Sequence, residues 1–234
     1  MFENQATIMS TYKRYDISLD RGKGCKVTAT NGKEYLDFVG GIAVMSLGHG
    51  NETVLSAIKS QADKLLQCSN LFWSEPQLKL ATLLTTHSFG KSVFFCNSGA
   101  EANEAAIKLA RKYGSIKLSE GHSVSKKHRI ITMENSFHGR TMATLTATGQ
   151  DKYHTHYYPL VPGFTYVPFN DPAALESAFD HDVCAVLLEP LQGEGGLVEA
   201  TTDFLQKARQ LCDQYDALLI FDEVQCGLGR TGKL

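Results

Sequence analysis

The 234-residue chain contains no apolar run long enough to cross a bilayer, and residues 1–24 lack the apolar stretch of a secretory leader. These absences predict a cytoplasmic protein with no membrane partner. The six cysteines (Cys25, Cys68, Cys96, Cys184, Cys212 and Cys226) include no C-x-x-C pair, which argues for reduced thiols and against a disulfide framework or a zinc site. Net charge is only −2, from 23 basic and 25 acidic side chains, and no basic stripe interleaves with aromatics. Nucleic acid is therefore not an expected partner, and no metal centre is expected. Internal repeats and low-complexity tracts are absent. What remains is ordinary for a globular protein: 43% apolar and 21% charged residues, at a length sufficient for a substantial core.

The pattern along the chain predicts an α/β fold. Lys26–Thr30 and Lys33–Phe38 flank Asn31-Gly32, a pair that suits the positive φ angles of a two-residue I′ hairpin turn. Val54, Leu55, Ile58, Ala62, Leu65 and Leu66 recur at helical spacing across residues 51–66, and a second helix is expected from Pro76. Strands and helices then alternate. Strands are expected at 92–96, 129–134, 165–168, 183–189 and 217–221, with helices at 100–113, 172–179 and 204–215. The polar stretch 115–127 reads as a mobile loop. Continuous apolar strands such as Cys184–Leu188 need cover on both faces. They predict a three-layer α/β/α sandwich with a mainly parallel sheet, preceded by the β-hairpin of a smaller domain.

Several strand ends carry residues suited to chemistry. Asp222 closes an apolar strand, where open α/β sheets place their ligands, and it could pair with a protonated ring nitrogen such as a pyridinium; it could also merely cap a turn. At Asn97-Ser98-Gly99-Ala100, Ser98 is a good N-cap, and the following backbone N–H groups could hold a phosphate, or the turn could be a capped helix and nothing more. In Phe137-His138-Gly139-Arg140 an aromatic could stack on a flat ligand and Arg140 could grip a carboxylate, against a core Phe and a solvated Arg. Glu189 and Glu194 share a glycine-dense loop, as a paired acid and base or as solvated charges. Gly227–Leu234 resembles a P-loop, but Leu234 stands where Ser or Thr should hold magnesium. Ser98, Phe137, Glu189 and Asp222 all fall at predicted strand ends, and so on one expected rim.

Those residues, with Gly40–Val44, Gly48-His49-Gly50, Glu101–Glu104, Gly193–Gly196 and Phe221–Gln225, make the chain resemble the class III aminotransferases over nearly its whole length. These are pyridoxal 5′-phosphate (PLP) enzymes of fold type I. The resemblance implies that Ser98, Gly99 and Ala100 hold the cofactor phosphate and that Phe137 and His138 lie on the cofactor. It implies that Asp222 pairs with the ring nitrogen, Gln225 bonds the phenolic oxygen and Glu189 supports that network. Arg140 would take a substrate carboxylate, and Glu194 would act as a catalytic gate. It further implies an amino donor, N-acetylornithine, reacting with 2-oxoglutarate to give N-acetylglutamate semialdehyde and glutamate in arginine biosynthesis, by a homodimer. Ornithine, succinylornithine and 4-aminobutyrate stay open as donors.

Residues 1–60 are expected to form the N-terminal segment of a small domain and 61–234 an incomplete PLP-binding large domain. The covalent cofactor lysine of relatives, and their gate arginine, are expected beyond Leu234. Lys233 lies too close to Asp222 to replace that lysine. The chain alone is then expected to show negligible turnover, and to be poorly soluble or to associate with itself. A non-catalytic PLP-binding or assembly module is the alternative. Met45, Glu52 and Cys226 depart from the family's usual residues without touching a proposed contact.

Overall fold

A computed structural model of the chain describes residues 7–119 and 127–232. The described residues fall into two compact units, divided between Lys79 and Leu80. In the first, β1 (Leu19–Lys23), β2 (Lys26–Ala29) and β3 (Glu34–Leu36) make an antiparallel sheet in that order. The expected hairpin is β2–β3, with Thr28 opposite Glu34. Its turn is not the predicted I′: four residues connect the strands, Gly32 carries a positive φ of 84° and Asn31 does not. The Asn31 side chain instead accepts the Lys33 N–H at 3.0 Å, a local bond that favours the wider loop.

After a distorted turn, α1 (Gly40–Ala43), comes α2 (Glu52–Ala62), whose N-cap Asn51 accepts the Val54 N–H at 3.2 Å. Next is α3 (Glu75–Thr86). Neither α2 nor α3 carries a fully buried residue, and Ile58, Leu83 and Trp73 stand exposed.

The second unit contains α4 (Gly99–Ser119), β4 (Arg129–Met133), α5 (Met142–Ala147), α6 (Asp151–His154), β5 (Phe164–Val167), α7 (Pro172–Ala178), β6 (Val183–Leu188), β7 (Leu191–Gln192), β8 (Val198–Glu199), α8 (Thr202–Gln214) and β9 (Leu218–Phe221). Its main sheet is parallel, in the order β5-β4-β6-β9. Alternation along the strands splits the core in two. Ile131, Met133, Val186 and Leu188 pack with Leu175 of α7 and Phe204, Ala208 and Leu211 of α8. Ile130, Ala185 and Leu187 face the other way, onto Ile107 and Ala110 of α4. This is the expected three-layer sandwich, and it explains why these strands are apolar at every position. Each of the larger side chains among them (Val, Leu, Ile, Met or Phe) contributes about 1.5–3 kcal/mol.

Two further expectations fail. Residues 92–96 form no strand among the described residues, and Phe94 is exposed; strand composition yields a strand only where a neighbour supplies ladder partners. Ser98 therefore opens a helix without closing a strand. Residues 115–119 are helical instead of looped, because Tyr113 and Lys117, one turn apart on α4, both bind Asp216, at 2.5 and 3.3 Å. Residues 120–126 of that predicted loop, and Lys233 and Leu234 of the P-loop-like run, lie outside the described residues. The sequence pattern also missed β1, α5, α6 and the β7–β8 pair. Helix α5 is rich in β-branched threonine, and burial of Thr144–Ala147 with a Thr141–Thr144 capping box compensates for its weak propensity.

Candidate active site

The C-terminal ends of β4, β6 and β9 converge with the first turns of α4 around a cavity of about 260 Å³. That is near the lower end of small-molecule sites, which run from about 300 to 1,000 Å³. The loop after β4 brings Phe137, His138 and Arg140 to the wall, β6 delivers Glu189, β9 delivers Asp222, and Gln225 follows in the next turn. Gly99, Ala100 and Asn103 of α4 complete it. A wider hollow of about 570 Å³ beside Gln150 and Tyr166 contains none of the predicted site residues.

Asp222 is buried, with its backbone N–H on the Leu188 carbonyl at 2.8 Å. Its Oδ2 accepts from His138 Nδ1 at 2.8 Å and from Asn103 Nδ2 at 2.7 Å, and its Oδ1 accepts the Val224 N–H at 3.1 Å. Burial pushes the carboxyl pKa up, but the hydrogen bonds from His138, Asn103 and the Val224 N–H outweigh it and leave the pKa below the usual carboxylate value. The group is thus a held anion with acceptor capacity left on Oδ1. His138 is itself fully enclosed: its backbone N–H donates to Thr148 Oγ1 at 2.9 Å, and its ring Nε2 is buried without a partner among the described residues.

Glu189 is buried beside it, Oε2 accepting the Phe137 N–H at 3.0 Å. Burial, reinforced by the charges of Asp222 and Glu194, raises its pKa to about 8 against the pull of the Phe137 and Gly193 N–H groups. The cavity therefore presents two carboxyls with opposite tendencies to ionise, a pattern that separates acid from base roles.

Arg140 is exposed at the wall, its guanidinium 4.2 Å from the Tyr153 ring centroid and 5.5 Å from that of Phe137. The two rings meet edge to face at 5.8 Å, so the cation is parked over an aromatic pair. No carboxylate among the described residues pairs with it. The tight path of the loop is set by Gly139, with φ of 135°, where a Cβ would press on Thr144 Oγ1 at 2.6 Å and on Ala100 at 2.9 Å.

Ser98 and Glu194 stand apart from the other predicted residues. Ser98 is exposed and outside the cavity wall; its Oγ accepts the Glu101 N–H at 3.2 Å, an N-cap. The N–H groups of Gly99 and Ala100, first-turn positions with no acceptor in their own helix, remain for an anion. Glu194 is exposed between β7 and β8, off the wall. Asn103 falls inside the Glu101–Glu104 motif, but motif reading assigns it no role in the site. Its signal is positional: one turn after Gly99, it lies on the same helix face as that first-turn glycine.

An anion fixed on the sheet rim, an aromatic beside it and a helix start facing the same cavity make a site for a flat, phosphorylated, basic ring. The chain belongs to the class III aminotransferases, matching the family described as Aminotransferase class-III over residues 8–234. Enzymes of this family are PLP-dependent. The chain is 56% identical over 227 residues to the acetylornithine aminotransferase of Caldanaerobacter subterraneus subsp. tengcongensis, covering 97% of this chain and 56% of that protein.

Among solved structures it is similar to N-acetylornithine aminotransferase from Stenotrophomonas maltophilia K279a, with TM-score 0.79, 44% identity and coverage of 94% of this chain and 54% of that one. It is also similar to ornithine aminotransferase from Toxoplasma gondii ME49, with TM-score 0.87, 33% identity and coverage of 98% and 54%. The chain spans about half the length of the curated relatives it matches. Among the described residues, no helix is long and apolar enough to cross a membrane.

Proposed function

We propose that this chain carries the cofactor-clamping part of a PLP-dependent transaminase acting on N-acetylornithine and 2-oxoglutarate, in the cytoplasm and in arginine biosynthesis. The observation that carries the proposal is the buried, multiply hydrogen-bonded Asp222 on the cavity wall, in a chain 56% identical to an acetylornithine aminotransferase. Bound PLP supplies an electron sink for the carbanion formed at the amine-bearing carbon of the donor. The chain's own residues hold and tune it. Asp222 keeps a proton on the ring nitrogen, and His138 and Asn103 keep Asp222 charged and oriented. Phe137 covers a ring face, the Gly99 and Ala100 N–H groups take the phosphate, and Gln225 bonds the ring oxygen. Arg140 takes a carboxylate of either substrate, and Glu194 serves as the gate.

The assignment of residues 1–60 to a small domain and 61–234 to the large domain belongs to the same proposal. So does a homodimer, supported by the apolar faces of α2 and α3 that stand open.

A second reading, PLP binding without turnover, is favoured by one observation: no lysine lies among the described residues that line the cavity. Mixing the purified chain with PLP and both substrates separates the two. Saturable PLP binding lost in Asp222→Ala supports the site under either reading; glutamate formation decides for the complete activity.

A further inference from the structure

The register of β6 against β9 pairs Leu188 with Phe221, so the next residues, Glu189 and Asp222, leave neighbouring strands side by side into one cavity. Both are buried, and two carboxylates in such a setting do not both ionise without a cation between them. Their surroundings are unequal. Asp222 takes His138, Asn103 and the Val224 N–H. Glu189 takes only the backbone N–H groups of Phe137 and Gly193, and no cationic side chain among the described residues pairs with it. The proton belongs on Glu189.

We propose that Glu189 meets the cofactor as a neutral carboxylic acid and donates a hydrogen bond to one of its oxygens, opposite in role to the anionic Asp222. The proposal rests on the cofactor assignment above and adds a ligand-binding role that depends on the proton. With backbone N–H groups on the carboxyl, the Phe137 N–H on Oε2, the protonated group still carries one O–H to turn toward the cavity, and a bound ring oxygen is an acceptor for it. The raised pKa of about 8 agrees with this protonation state. The groups acting on Glu189 from the packed elements are Asp222 at the end of β9, Glu194 on its own loop and Cys226 in the turn after β9. Arg140 shares the cavity wall but stacks on Phe137 and Tyr153.

The probe is pyridoxine 5′-phosphate, which lacks the aldehyde and so forms no covalent adduct with lysines. Its dissociation constant for the 234-residue chain is measured by equilibrium dialysis across the neutral and alkaline range. Glu189→Gln keeps a neutral donor at every pH, so its profile reports the titration of the probe, of Cys226 and of all other groups. Wild type is expected to lose affinity relative to E189Q by about tenfold or more between about pH 7 and pH 9.5, one decade per pH unit once Glu189 ionises.

Glu189→Met, which cannot donate, is expected to bind about two- to tenfold more weakly than E189Q at pH 7. Parallel profiles for wild type and E189Q overturn the proposal, as does E189M binding as tightly as E189Q. Should E189M fail to fold, the wild-type and E189Q comparison decides alone. Absence of wild-type binding at every pH overturns the cofactor assignment itself, an outcome distinct from parallel profiles.

Discussion

Asn103 donates from Nδ2 to Asp222 Oδ2 at 2.7 Å, tying the second turn of α4 to the end of β9 across 119 residues of chain. The same amide nitrogen also reaches the His138 carbonyl at 2.9 Å, so one side chain fixes the acid and the backbone of its histidine partner. Asn103→Ala leaves both acceptors short of a donor in a buried place. The expected cost is about 1–3 kcal/mol in urea-induced unfolding. PLP affinity is expected to fall with it, because Asp222 loses one of its fixed directions. Unchanged unfolding together with unchanged affinity would show that the contact does not matter.

Glu189 makes the fold itself sensitive to pH. Burial keeps its carboxyl protonated up to about pH 8, whereas a hydrated glutamate ionises near 4.5. Between those values the unfolded chain has released a proton that the folded chain still holds, so stability falls as pH rises through this window and levels off above it. Glu189→Gln has nothing to ionise there. The melting-temperature difference, E189Q minus wild type, should widen steadily from pH 5 to pH 8, reaching several kcal/mol at most in free-energy terms. A constant difference would place the Glu189 pKa in the ordinary range.

Arg140 is held by two aromatic rings and by no carboxylate among the described residues, so its charge remains available to a ligand. Titration calorimetry with glutarate, an unreactive dicarboxylate, is expected to show at least about tenfold weaker binding for Arg140→Leu, the loss of one charge-assisted hydrogen-bond pair. Tyr153→Leu removes the nearer ring and should cost about two- to thirtyfold, with Tyr153→Phe close to wild type. Equal binding by Y153L and wild type would mean that the stacking does not position the guanidinium.

Phe204 is the anchor of α8 under the sheet, fully buried and in edge contact with Phe169 at 5.6 Å. Phe204→Ala should cost about 3–5 kcal/mol in equilibrium unfolding, through lost burial and the cavity left behind. A loss below about 1 kcal/mol would mean that this face of the sandwich is loosely packed.

Most of the second unit was legible in the sequence because its signals are strong and local. The apolar run Val183–Leu188 requires cover on both faces, Asp171 and Thr201 cap α7 and α8, and Pro172 opens α7. Acids that directly follow such strands fall on the rim by construction, which is why Glu189 and Asp222 were readable. The failures share a cause: they depend on partners distant in sequence. Residues 92–96 have strand composition without a neighbouring strand, and Thr-rich α5 is helical through burial and a capping box. Asn103 lies in the Glu101–Glu104 motif without an assigned role, and Tyr153 lies in none; their roles arise only when α4 meets β9 and when α6 meets the loop holding Arg140. The proton balance between Glu189 and Asp222 is likewise invisible until register places them together.

The ring-nitrogen clamp is tested most directly by ¹⁵N NMR of PLP labelled at its ring nitrogen and bound to the chain at mildly alkaline pH. The wild-type chain should give a pyridinium resonance, shifted from that of the free, unprotonated ring, and Asp222→Ala should abolish it. A bound ring that is unprotonated in the wild type, or equally protonated in both, would contradict the role assigned to Asp222.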